Sequence, residues 1–138
     1  MTLDQANRII AAALQQAEQA HYKPMAVVVL DAAGHVKSAQ RQDGASMFRI
    51  DIATGKAWAS IAMGAASRVL TQRAKDLPAF FGALASTGRG KFIPQTGAVL
   101  VKDAGGTVIG AVGASGGTGD EDEEICIAGV TAAGLQSG

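Results

Sequence analysis

The chain has 138 residues, 48% of them hydrophobic, and 12 basic side chains against 12 acidic ones. An apolar, charge-balanced composition of this kind excludes a disordered chain. Without a basic patch it also argues against a partner recognised through nucleic-acid phosphates. The length reads as one domain over residues 1–138, with room for a full core.

A lone cysteine, Cys126, rules out an intrachain disulfide and suits a reducing compartment. No basic-then-apolar leader opens the chain, and no apolar run reaches the roughly 18 residues a membrane helix needs. The expectation is a soluble, cytoplasmic protein that does not engage membranes; the mature form of an exported protein would read the same way. Eighteen glycines in this length imply many tight corners.

Thr2 and Gln5 have the spacing of a capping box, and Leu3, Ala6, Ile9, Ile10, Ala13, Leu14 and Ala17 recur at helical intervals. The spacing predicts an amphipathic helix from Leu3 to Ala20. Met25 to Leu30 is a valine-rich run between Pro24 and Asp31, the pattern of a buried strand. A turn at residues 31–34 leads to a second strand, His35 to Gln40, completing a hairpin. Ser46 to Met63 is helical in pattern and alanine-rich, and Ser67 to Lys75 forms a short helix that Pro78 ends. Residues 79–84 restart it. The stretch 86–97 then reads as the longest loop, a feature often functional in compact folds.

A second hairpin follows, from apolar runs at Ala98–Val101 and Val108–Val112 around a turn at residues 102–106. Its turn, DAGGTV at 103–108, nearly repeats DAAGHV at 31–36. Shared turn chemistry is the simpler account, since six residues do not establish an internal repeat. After Val112 come a glycine-rich bend, 113–119, five consecutive acidic residues, Asp120 to Glu124, and a helix from about Gly119 to Leu135. Two hairpins with interspersed helices predict an α+β fold: an antiparallel sheet of at least four strands with helices on its apolar faces.

The glycine bend could cradle an anion at the last helix's N-terminus. It lacks the Walker pattern, however, and the acidic run behind it would repel a phosphate. A plain strand-to-helix bend capped by Thr118 or Asp120 is the competing reading. Glu121 and Glu124, like Asp120 and Glu123, are spaced to share a helix face and could hold a hard cation; a solvated helix start favoured by the macrodipole explains them equally simply. The two histidines, His21 after the first helix and His35 at the second strand, could ligate haem iron or move protons, or be exposed turn residues. Arg41, Asp43, Arg49, Asp51 and Lys56 could line a small-molecule pocket or face water. Arg89 and Lys91 in the long loop could bind a carboxylate or a haem propionate.

Taken together, the opening TLDQANRIIAAAL, the hairpin VVVLDAAGHV, RQDGA at 41–45, IDIATGKAWAS at 50–60 and the closing VIGAVGASGGTGDEDEEICIAG resemble the GlcG/HbpS-like family, which includes the C-terminal domain of PduO-type proteins. The resemblance spans nearly the whole chain in order. It implies a profilin-like α/β/α sandwich around an antiparallel sheet, built from two β-hairpins, and homo-oligomers from dimers to octamers. It also implies haem or another tetrapyrrole as ligand, with His21 placed as an axial ligand and with His35 matching the GH that opens the family's second strand. The segment Gln95 to Leu100 departs from the family's pattern, which carries a glycine pair and a proline there.

Three functions follow as expectations. The first is a haem- or tetrapyrrole-binding oligomer, its cofactor held by His21, Arg89, Lys91 and the bend residues Ser115, Gly116 and Gly117. The second is a small enzyme of organic-acid or aromatic catabolism, with His35, Asp43, Lys56 and Asp122 as acid–base candidates and a pocket between loop 86–97, the bend and a neighbouring subunit. The third is a non-catalytic accessory subunit.

Overall fold

A computed structural model describes all 138 residues. Five helices, α1 (Leu3–Gln19), α2 (Phe48–Met63), α3 (Ser67–Asp76), α4 (Pro78–Thr87) and α5 (Gly119–Ala132), surround strands β1 (Ala26–Asp31), β2 (Val36–Arg41), β3 (Ala98–Lys102), β4 (Val108–Ser115) and β5 (Gln136–Ser137). The strands form one sheet in the order β2-β1-β4-β3-β5, antiparallel throughout. Each predicted hairpin is one half of it, and β1 joins β4 at the centre in continuous register from Ala26–Ser115 to Asp31–Gly110.

Both faces are covered because the central strands are apolar on both sides. Val27 and Val29 pack on one face with Ile9, Ile10, Ala13, Ile125 and Val130 of α1 and α5. Val28 and Leu30, pointing the opposite way, pack with Ala53 and Ala57 of α2. The result is the expected helix–sheet–helix sandwich. A smaller cluster of Ala59, Leu70, Phe81 and Phe92 ties α2 to α3, α4 and the following loop. The small residues of α2 let it lie close on the sheet: a Cβ on Gly113 of β4 would fall 2.3 Å from the Ala53 carbonyl oxygen.

The two turns share one construction. Asp31 Oδ1 accepts from the backbone N–H of Ala33 and His35 at 2.9 and 3.0 Å; Asp103 Oδ1 does the same with Gly105 and Thr107 at 3.0 and 2.9 Å. Gly34 and Gly106 close them at φ of 84° and 83°. The bond from His35 holds the Asp31 carboxyl below its ordinary range. Alanine at either glycine should cost about 1–2 kcal/mol in left-handed strain. A Cβ at Gly34 would also meet the Trp58 ring at 3.3 Å, whereas one at Gly106 meets nothing within 4 Å. Urea denaturation should therefore show Gly34→Ala losing more than Gly106→Ala; equal losses would mean that the indole gives way.

Two expectations need correction. The loop set at 86–97 is shorter at its start, because α4 continues to Thr87. The last helix stops at Ala132 rather than Leu135, since Gly134 turns left-handed at φ 74°. The residues freed there form a fifth strand, β5, paired with Val101 and Lys102 of β3; with two residues and no apolar alternation it leaves no strand signal in the sequence. No helix is long and apolar enough to cross a membrane.

Candidate functional site

The end of β4, the glycine bend and the start of α5 meet α2 on one side and the end of α1 on the other. Thr118 caps α5. Its hydroxyl accepts from the Glu121 N–H while the Glu121 carboxylate accepts from the Thr118 N–H, at 3.1 and 2.9 Å. Gly116, at φ 154°, passes so close to Pro24 that a Cβ would lie 2.2 Å from its carbonyl oxygen. The bend is thereby clamped between the chain entering β1 and the first turn of α5.

One turn into α5, Asp122 points back under the bend. It is 2% exposed and pairs with Lys56 of α2, itself 6% exposed, through a 2.9 Å contact from Nζ to Oδ2. Lys56 Nζ also donates to the Ala114 carbonyl at 3.1 Å, and Asp122 Oδ1 accepts from the Gly117 N–H at 2.9 Å. The ion pair thus links α2, β4, the bend and α5. Burial pushes the Asp122 carboxyl up, and the Lys56 ammonium only partly offsets it. Gly97 makes room for the pair, since a Cβ there would sit 2.7 Å from Lys56 Nζ.

Two cavities flank the bend. The first, of about 440 Å³, has Lys56, Asp122 and Ser115 in its wall together with Gln95 and Thr96 of the long loop. The second, of about 450 Å³, is lined by His21, Tyr22, Lys23, Gly116 and Glu121. Arg49, Gly117 and Thr118 belong to both walls. His21 stands at the end of α1 with φ 58°, its N–H donating to the Glu18 carbonyl, so the imidazole is carried on a fixed turn at the cavity rim. Tyr22 donates its hydroxyl to Glu124 at 2.5 Å, which pushes the phenol up to about 12.

The sequence pattern of the family described as haem degrading protein HbpS-like matches residues 1–131. The chain belongs to this HbpS-like family. It is 26% identical, over 137 residues, to the corrinoid adenosyltransferase PduO of Citrobacter freundii; the match takes in 99% of this chain and spans 40% of that relative's length. Among solved structures it resembles a PduOC–haem complex at TM-score 0.87 and 27% identity, covering 100% of this chain and 96% of the other. Klebsiella pneumoniae ORFY gives TM-score 0.88 and 27% identity over 97% and 90% of the two chains. A double mutant of Streptomyces reticuli HbpS gives 0.82 and 26% over 95% and 85%.

In this HbpS-like chain the residues singled out in the sequence do not form one site. Of the four acid–base candidates, only Lys56 and Asp122 come together. His35 lies across α2 in an apolar hollow of about 460 Å³ with Val36, Phe48, Trp58 and Lys91. Asp43 lines a separate polar hollow with Glu18, Tyr22 and Gln42. Of the cofactor candidates, His21, Gly116 and Gly117 share the second cavity and Ser115 lines the first. Lys91 is with His35, and Arg89, exposed at φ 52°, makes no ion pair.

The metal reading of the acidic run also gives way. Glu121 is spent on the cap and Glu124 on Tyr22, while Arg68 of α3 bridges Asp120 and Glu123, the latter at 2.9 Å. No group of three or more His, Cys, Asp or Glu side chains assembles anywhere. A guanidinium from another element thus occupies the position where a cation was considered. Cys126 is fully buried, and burial pushes its thiol up, out of range for nucleophilic or ligand chemistry.

Proposed function

We propose that this protein binds haem at the His21 cavity and that copies of the chain associate to enclose it. The observation that carries this reading is the placement of His21: an imidazole on a rigid left-handed turn, at the mouth of a cavity of about 450 Å³, in a fold at TM-score 0.87 to a PduOC–haem complex. The donor set suits the cofactor's polar parts. His21 offers a nitrogen to the iron, and Lys23, which has no carboxylate partner, offers a charge to a propionate.

The porphyrin faces need apolar cover, and Tyr22 is the single hydrophobic residue of this lining. A second copy supplies what is lacking. Met47 and Phe48, 74% and 59% exposed at the start of α2, are among the exposed apolar side chains able to contribute. The same side chains account for the self-association expected of the family.

Titration of the purified protein with haemin tests this. A saturable Soret change is expected, and His21→Ala should weaken binding roughly tenfold or more. An identical spectrum and affinity in His21→Ala would remove the axial role. Analytical ultracentrifugation should find an assembly larger than a monomer; tight haem binding by a monomer would remove the second copy from the reading.

A further inference from the structure

The cavity over the Lys56–Asp122 pair adjoins the His21 cavity, with Arg49, Gly117 and Thr118 in both walls, and we infer that it is a binding site for a small polar monocarboxylic acid. Four observations carry this. First, the acidic side chains around it are already committed: Asp122 to Lys56, Asp120 to Arg68 and Glu121 to the Thr118 cap. Arg49 is not. Its one hydrogen bond goes to the Ser115 hydroxyl at 3.3 Å, and no carboxylate lies within 4 Å of it. Arg49 is therefore the one cation of the lining without an ion-pair partner, and its planar fork matches a carboxylate.

Second, Lys56 is nine-tenths buried and lines the cavity, yet its ammonium makes only two of its three possible hydrogen bonds. A donor left open at this depth is costly unless a ligand or water fills it. Third, the lining holds one hydrophobic residue, Ile52, against Gln95, Thr96, Ser115 and Thr118, so it suits a short acid bearing a further oxygen rather than an aliphatic or aromatic one. Fourth, about 440 Å³ lies within the usual range of small-ligand sites. A dianion such as phosphate is disfavoured by the carboxylates of Asp120 and Asp122 in the same wall. The acid's carboxylate sits on Arg49 and Ser115, and its second oxygen accepts the third proton of Lys56.

Calorimetric titration with pyruvate as the probe, and with its neutral amide and inorganic phosphate as controls, decides the matter. Pyruvate should bind saturably at millimolar concentration or below, and neither control should. Arg49→Gln should weaken pyruvate roughly tenfold or more, with Arg49→Lys falling between. Arg49 is partly exposed and its loss leaves no buried charge behind, so both variants should fold. Pyruvate affinity should be unchanged in His21→Ala, because His21 lines only the neighbouring cavity. Absence of saturation, equal binding of the amide or phosphate, or equal pyruvate affinity in Arg49→Gln would each overturn the assignment. If Arg49→Gln instead weakens haemin and leaves pyruvate alone, the carboxylate it holds is the porphyrin's own and the inference fails.

Discussion

Replacing Lys56 by methionine should cost about 3–5 kcal/mol of folding stability, the usual penalty for stranding one member of a buried ion pair. Asp122 would remain under the bend at 2% exposure, with Gly117 as its only hydrogen-bond donor. Deprived of the ammonium, its carboxyl pKa would rise further in the folded state than burial already takes it. The sign of the pH effect follows. An acid whose folded pKa exceeds its unfolded one stabilises fully below the unfolded value and loses that contribution as pH rises through the folded value. The deficit of Lys56→Met relative to wild type should accordingly shrink on acidification. Removing both charges with Lys56→Met and Asp122→Leu should recover most of the loss, because two apolar groups of similar size often match or exceed a buried pair. Urea denaturation across pH measures all three proteins. A single variant within about 1 kcal/mol of wild type at neutral pH would mean that water reaches Asp122 readily.

The second large effect concerns the contact between the first and last helices. Gly129 of α5 lies against α1, and a Cβ there would fall 2.4 Å from the Ile9 carbonyl oxygen and 3.2 Å from the Ala13 methyl. Neither is the end of a flexible chain, so the helices must part. Gly129→Ala should therefore destabilise by about 2–3 kcal/mol through overpacking, although alanine is intrinsically the better helix former by about 1 kcal/mol. Gly82 of α4 is the control. It is also helical, but nothing lies within 4 Å of its would-be Cβ. Gly82→Ala should stabilise by roughly 0.5–1 kcal/mol. Thermal melts of the pair give opposite shifts on this account; two stabilised proteins would show that α1 and α5 are looser than described.

Four of the five strands, both hairpins and the Thr2–Gln5 capping box were legible because each is written in a few adjacent residues. Val-Val-Val-Leu followed by Asp-x-x-Gly specifies strand and turn locally, and the structure repeats that turn almost atom for atom. The pairing of β1 with β4 was not legible, since it joins residues some 80 positions apart and rests on burial from both faces. The ion pair was half legible. Lys56 and Asp122 were both candidates, but nothing local distinguished them from His35 and Asp43, which the fold sends elsewhere. One signal was available for the rest of the wall: Arg49, Ile52 and Lys56 are spaced three and four apart and so share a face of α2. Tyr22, Gln95 and Thr96 carried no such signal, because loops and helix ends place them. The acidic run misled in the direction of metals because its partner, Arg68, lies more than 50 residues away.

The central pairing of β1 with β4 and the seating of α1 against α5 have a consequence in time. The first helix and first strand are made early in synthesis, but α5, which packs on α1, and β4, which pairs with β1, belong to residues 108–132. Until the ribosome has delivered that stretch, the valines of β1 have a neighbour on one edge only, and Ile9 and Ile10 have no helix beside them. Loop-closure entropy across most of the chain must be met before the β1–β4 and α1–α5 contacts can form. Folding is therefore held back until residues 108–132 have been made, and the nascent first hairpin waits with its apolar strand exposed, the species on which a chaperone would act.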